Sequence, residues 1–76
     1  MPSFRISVVN QHFRASNEHD LPSAEAARTE AIKGALQIGT GEVCMNRPFF
    51  GAEVSIESDG ESVGRYVVSI GVSSLM

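Results

Sequence analysis

The chain has 76 residues, 42% hydrophobic and 20% charged, and six Lys+Arg against nine Asp+Glu give a net charge of −3. That balance describes one small folded domain, residues 1–76, and excludes a disordered segment. A single cysteine excludes an internal disulfide and a four-cysteine zinc site.

The charges also bear on partners and compartment. Residues 1–41 carry four charges of each sign, so the excess acid lies in residues 42–76. The arginines are scattered at positions 5, 14, 28, 47 and 65, without the basic face that neutralises phosphates, which argues against nucleic acid as a partner. A secreted domain this short would normally carry cystines, which favours a reducing compartment. No basic segment with an apolar run opens the chain, and no stretch approaches the roughly 18 apolar residues of a membrane span. The expectation is a cytoplasmic protein with no membrane contact.

Four short strands and one helix follow in chain order. "SFRISVV" alternates, Phe4, Ile6 and Val8 on one side and Arg5, Ser7 and Val9 on the other, the period of a half-buried strand. "HFRA" offers a second, shorter strand with Phe13 and Ala15 inward, although the intervening "NQ" has no glycine to make the turn. "SNEHD" is polar and is expected as an exposed loop. Ser23 is a good helix N-cap, preceded by Pro22 and followed by Glu25 in the first turn, where the helix dipole favours an acid. Glu25–Arg28 and Glu30–Lys33 are i,i+3 pairs. Ala24, Ala27, Ala31, Ala35 and Ile38 cover one arc of the helix, extended by Ile32, Leu36 and Val43, while Thr29, Glu30, Lys33 and Gln37 fill the opposite side. The alanine strip suits close approach to a sheet. Gly39 and Gly41 offer stop signals, although the pattern can run on to Val43. "NRPFF" is irregular, since Pro48 keeps it out of a helix. "GAEVSIE" then places Ala52, Val54 and Ile56 inward. "SDGES" is a turn centred on Asp59-Gly60, and "GRYVVSIGV" returns with Tyr66, Val68, Ile70 and Val72 inward.

These elements imply an α+β fold: a two-layer sandwich of ββαββ order, with one helix packed on a mainly antiparallel four-stranded sheet. Strand order is open at this level. The openings "MPSFRISV" and "LPSAEAARTEAI", with "GAEVSIESDGE" and "YVVSI" later, resemble a family of very short bacterial proteins of uncharacterised function. Its members share an M-P-x-[FY] start and an L-P-x-x-x-A-A-R-x-E-A helix, here Leu21, Pro22, Ala26, Ala27, Arg28, Glu30 and Ala31. This chain departs from the pattern at Arg5 and Ser7, and "ASNEHD" replaces the family's D-x-x-G loop. The resemblance implies a small α+β domain and supplies no catalytic residues.

Little in the sequence looks like chemistry. Arg28 falls inside the arc that should face the core. It can snorkel past the sheet edge to water, pair with a carboxylate in the sheet, or bind an anion. His12 and His19 are the only histidines, and Glu18 and Asp20 flank the second, but a metal site needs three or four converging ligands. Cys44 beside Val43 and Met45 suits apolar filler better than a thiol nucleophile. "GTGEVC" begins like a dinucleotide fingerprint, yet it follows a helix and has Cys44 in place of the last glycine. Loss of Met1 would leave Pro2 with a free secondary amine, the base of tautomerase-type enzymes, with Arg5 and Arg65 available to hold an acidic substrate. No catalytic, cofactor-binding or metal-binding residue is assigned. Phe49 and Phe50, next to Pro48 and Met45, form the densest apolar cluster outside the strands. One should enter the core and the other remain exposed as a contact. The expected role is a binding or regulatory module acting through protein contacts, as a homodimer or with another protein. Proline-dependent tautomerisation and nucleic-acid binding are the alternatives.

Overall fold

The computed structural model describes residues 1–76. Its elements are β1 (Ser3–Val9), β2 (Arg14–Asp20), α1 (Ala24–Cys44), β3 (Phe49–Ser58) and β4 (Glu61–Gly71). The strands form one sheet in the order β2-β1-β3-β4, and every neighbouring pair is antiparallel. The helix covers one face, giving the expected ββαββ α+β sandwich. Two hairpins thus meet along a β1–β3 seam.

The first hairpin turns without glycine because Asn10 supplies the acceptor itself. Its Oδ1 accepts from the His12 and Phe13 N–H groups at 2.8 and 3.0 Å, and its own N–H donates to the Phe13 carbonyl. The expectation of a loop at "SNEHD" is wrong: β2 continues through all five residues to Asp20, each opposite a β1 residue from Ser7 back to Ser3. Those residues are polar because β2 is an edge strand whose outer face meets solvent. Side chains reinforce the register there. Arg5 Nη2 donates to Glu18 Oε1 at 2.8 Å, Arg5 Nη1 to Ser16 Oγ at 3.2 Å, and the Ser7 and Ser16 hydroxyls lie 3.0 Å apart.

Ser23 caps α1 as its sequence predicts, its Oγ accepting from the Ala26 N–H at 3.1 Å. The buried helix residues are Ala27, Ala31, Ala35 and Gly39, one small residue every four positions. Ala24, Leu36 and Ile38, expected in the buried arc, are exposed. The helix touches the sheet along an i,i+4 ridge, which is narrower than the arc on an ideal wheel. Gly39 and Gly41 do not stop the helix, which runs to Cys44. At Gly39 a Cβ would stand 2.6 Å from Ile70 Cδ1 and 2.7 Å from Phe50 Cδ2, so the glycine marks the closest approach of helix to sheet. Asn46, at φ 67°, makes the sharp exit.

In β3, Phe50, Ala52, Val54 and Ile56 are buried, and Phe49 is 67% exposed, so the Phe49-Phe50 pair divides between core and surface as expected. Asp59 (φ 52°) and Gly60 (φ 80°) form the two-residue turn, both with the positive φ of a type I′ hairpin. A bulge at Val63 separates the Glu57–Ser62 and Ile56–Gly64 pairs. Val72, expected inward, lies beyond the end of β4 and is exposed. The core comprises Phe4, Ile6, Val8, Phe50, Ala52, Val54, Ile56 and Val68 of the sheet with the three helix alanines, and Phe13, Leu21, Val43, Tyr66 and Ile70 pack around it. The helix rests on β3 and β4 and more lightly on β1. No helix is long and apolar enough to cross a membrane.

Candidate interaction surface

The uncovered sheet face is largely polar, and several of its side chains pair across neighbouring strands. Arg5 bonds Glu18 and Ser16 across β1–β2, and Arg65 donates from Nε and Nη2 to Glu53 Oε1 across β4–β3. The hydrogen bond and the charge of Glu53 raise the Arg65 pKa above its ordinary value. A third ion pair, Arg47–Glu42 at 3.7 Å, closes the end of the helix. No polar or charged side chain is buried.

Arg28 is exposed and makes no ion pair. Its guanidinium lies over the Tyr66 ring, 5.3 Å from the centroid. The carboxylate pairing considered for it is therefore absent. The side chain leaves the buried ridge between Ala27 and Ala31 and reaches the edge strand β4, where an aromatic face receives the charge. Tyr66 can lie there because Gly64, two residues back on the same face, has no side chain. A Cβ at Gly64 would stand 2.9 Å from the tyrosine ring and hydroxyl.

The other residues singled out by sequence do not converge. His12 and Phe49 line one shallow hollow with Asn10, Gln11, Glu42, Arg47, Phe50 and Gly51, about 340 Å³. His19 lies at the far end of the same hairpin, on the helix-facing side of β2. No three His, Cys, Asp or Glu side chains gather in metal-binding geometry. Cys44 is exposed at the last residue of the helix, and Pro2 is exposed with its carbonyl accepting from the Leu21 N–H at 3.1 Å. Pro2 lines none of the hollows.

Sequence reasoning missed the groove between α1 and β2. Because the helix sits toward β4, the inward side of β2 is left uncovered. Ile6, Val8, Ala15 and Ala31 are among its apolar lining residues, with Asn17, His19, Glu30 and Gln37 supplying its polar groups, in about 260 Å³. That falls below the usual 300–1,000 Å³ of a small-molecule pocket. Treating "SNEHD" as a loop hid the groove, since its lining depends on a strand that places Asn17 and His19 on the helix side. The large apolar side chains left at the surface include Leu36, Ile38, Met45, Phe49 and Val67. No family model, curated protein or solved structure matches the chain.

Proposed function

We propose that this chain is a non-enzymatic interaction module of the cytoplasm that works through protein contacts and assembles with a second copy of itself. The observation that carries the proposal is the thin core: twelve of 76 residues are buried, while Leu36, Ile38, Met45, Phe49 and Val67 stay at the surface. The accessible surface of 5308 Å² exceeds the roughly 4,500 Å² typical of a monomer this size. The exposed residues 72–76 supply part of the excess. The chain is elongated, with a radius of gyration of 13.7 Å against about 11.4 Å for a compact domain, and the same residues contribute to it.

The distribution of polar groups favours this role over the two alternatives. A catalytic base needs a closed pocket that shifts its pKa, and Pro2 stands exposed outside every hollow. Arg5 and Arg65, the arginines available to hold an acidic substrate beside Pro2, are already bonded to Glu18 and Glu53, and a net charge of −3 disfavours a phosphate backbone as the partner. The likeness of the Leu21–Ala31 segment to the family of short bacterial proteins supports grouping the chain with them.

Size-exclusion chromatography with light scattering over a wide concentration range tests the proposal. A dimer that forms as concentration rises is the expected result, and a monomer throughout overturns self-assembly. Protein shown by mass to lack Met1 should give no signal in an enol tautomerisation assay. Turnover there that is lost on blocking the Pro2 amine would replace the module with an enzyme.

A further inference from the structure

The two edges of the sheet are not equivalent. Along β4 the Val63 bulge, Gly64 and the overhanging Arg28–Tyr66 pair interrupt the edge, which are features that discourage pairing with another strand. β2 is seven residues without bulge, glycine or proline, and the helix is displaced toward the far side of the sheet.

The β1–β2 ladder fixes which β2 backbone groups are free. Asn10 N–H bonds the Phe13 carbonyl, and Leu21 N–H bonds the Pro2 carbonyl. In an antiparallel ladder the bonded pairs alternate, so Ala15, Asn17 and His19 direct their backbone groups to β1. Arg14, Ser16, Glu18 and Asp20 direct theirs out of the sheet. Their side chains lie on the uncovered face, and neither Arg14 nor Asp20 has an ion-pair partner within the chain.

We infer that β2 pairs antiparallel with β2 of a second copy about a two-fold axis at Asn17, joining two sheets into one. This inference rests on the self-assembly proposed above. The strand is complementary to itself in that register. Arg14 falls opposite Asp20 of the second copy and Ser16 opposite Glu18, so the free backbone groups of all four meet. On the helix side Asn17 meets Asn17, and Ala15 meets His19. Just beyond the strand, Phe13 meets Leu21, both of which already pack at the margin of the core. Neighbouring registers lose this match. Centring on Glu18 sets the two Glu18 side chains against each other. Centring on Ser16 offers Arg14 only a Glu18 that is already engaged by Arg5 at 2.8 Å, and sets Asp20 against His12, which lies in the turn outside the strand. The single-copy groove between α1 and β2 becomes half of a trough flanked by two helices, to which each copy contributes Asn17 and His19.

Charge reversal at the strand ends tests the inference. Arg14→Asp alone sets a carboxylate against Asp20 of the second copy, and Asp20→Arg alone sets a guanidinium against its Arg14, each twice per dimer. Dimer affinity, measured by light scattering and sedimentation, should fall about tenfold or more for either variant alone. Mixing the two variants in equal amounts lets one end of the mixed dimer meet as Arg against Arg14→Asp and the other keep its native pair. In that mixture Asp20→Arg faces Arg14→Asp, and the unchanged Arg14 of one copy faces the unchanged Asp20 of the other. Both ends are attractive, so affinity should return to near the wild-type value. Ser16→Pro removes an N–H that points out of the sheet, so it should abolish the dimer while leaving the circular dichroism spectrum unchanged. A wild-type monomer at all concentrations removes both the inference and the self-assembly on which it rests. A dimer that tolerates both reversals and Ser16→Pro keeps self-assembly and overturns the β2 pairing. Loss without rescue in the mixture overturns the Asn17-centred register, and the inference with it.

Discussion

Arg28 and Tyr66 join the second turn of the helix to the edge strand β4 through a cation over a ring, 5.3 Å from guanidinium carbon to centroid. Contact of this kind at an exposed site contributes about 0.5–1 kcal/mol. It lets an arginine lie next to the fully buried Ala27 and Ala31 without burying its charge.

Arg28→Ala should therefore lower the melting temperature by about 2–8 °C, given 4–8 °C per kcal/mol for a domain of this size. Arg28→Lys should lower it less, since the charge remains and only the flat stacking surface is lost. A double-mutant cycle with Tyr66→Leu measures the coupling directly. Strict additivity would show that the two side chains are merely adjacent.

The helix glycines should separate by position. Gly39→Ala drives a methyl group against Phe50 and Ile70, an overpacking cost of about 1–3 kcal/mol that outweighs the helix-propensity gain of up to about 1 kcal/mol. Nothing lies within 4 Å of a Cβ at Gly34 or Gly41, so alanine there should stabilise by about 0.5–1 kcal/mol. Urea denaturation of the three variants decides the matter. A stabilised Gly39→Ala would mean the helix rides higher over the sheet than described.

Phe49 and Phe50 are adjacent in sequence and should differ sharply in cost. Phe50 is 3% exposed and Phe49 is 67% exposed. Truncating Phe50 to alanine should cost about 3–5 kcal/mol, a large part of the total stability of a small domain. Phe49→Ala should stay within about 0.5 kcal/mol. Equal losses for the two would contradict the alternation that begins β3 at this pair.

Much of the fold was legible because alternation in β1, β3 and β4 and the Ser23 cap are local signals. Asp59-Gly60 announces its own turn type in the same way. What escaped depends on partners distant in the chain. "SNEHD" becomes a strand because β1 pairs with it, and an edge strand with one face in water has little reason to be apolar. Gly39 looks like a terminator until Phe50 and Ile70 arrive beneath it. The candidate residues fared similarly. The division of labour between Phe49 and Phe50 follows from the period of a strand, whereas the partner of Arg28 required knowing that Tyr66 stands at the sheet edge. The self-complementary order of Arg14, Ser16, Glu18 and Asp20 was present in the letters, and it gained meaning only once those four shared one exposed edge.

The placement of β1 in the middle of the sheet also sets a schedule for synthesis. Its β3 partners lie 44 (Val9 to Glu53) to 52 (Arg5 to Glu57) residues downstream. At about 5–20 residues per second on the ribosome, β1 waits roughly 2–10 s for that neighbour to be made. Throughout this interval Phe4, Ile6 and Val8 have no strand on the seam side. The second hairpin, by contrast, closes over a two-residue turn within microseconds of emerging. The nascent chain is thus open to chaperones and to wrong pairing along a strand that ends up enclosed between two others, and that vulnerability ends only when β3 has been translated.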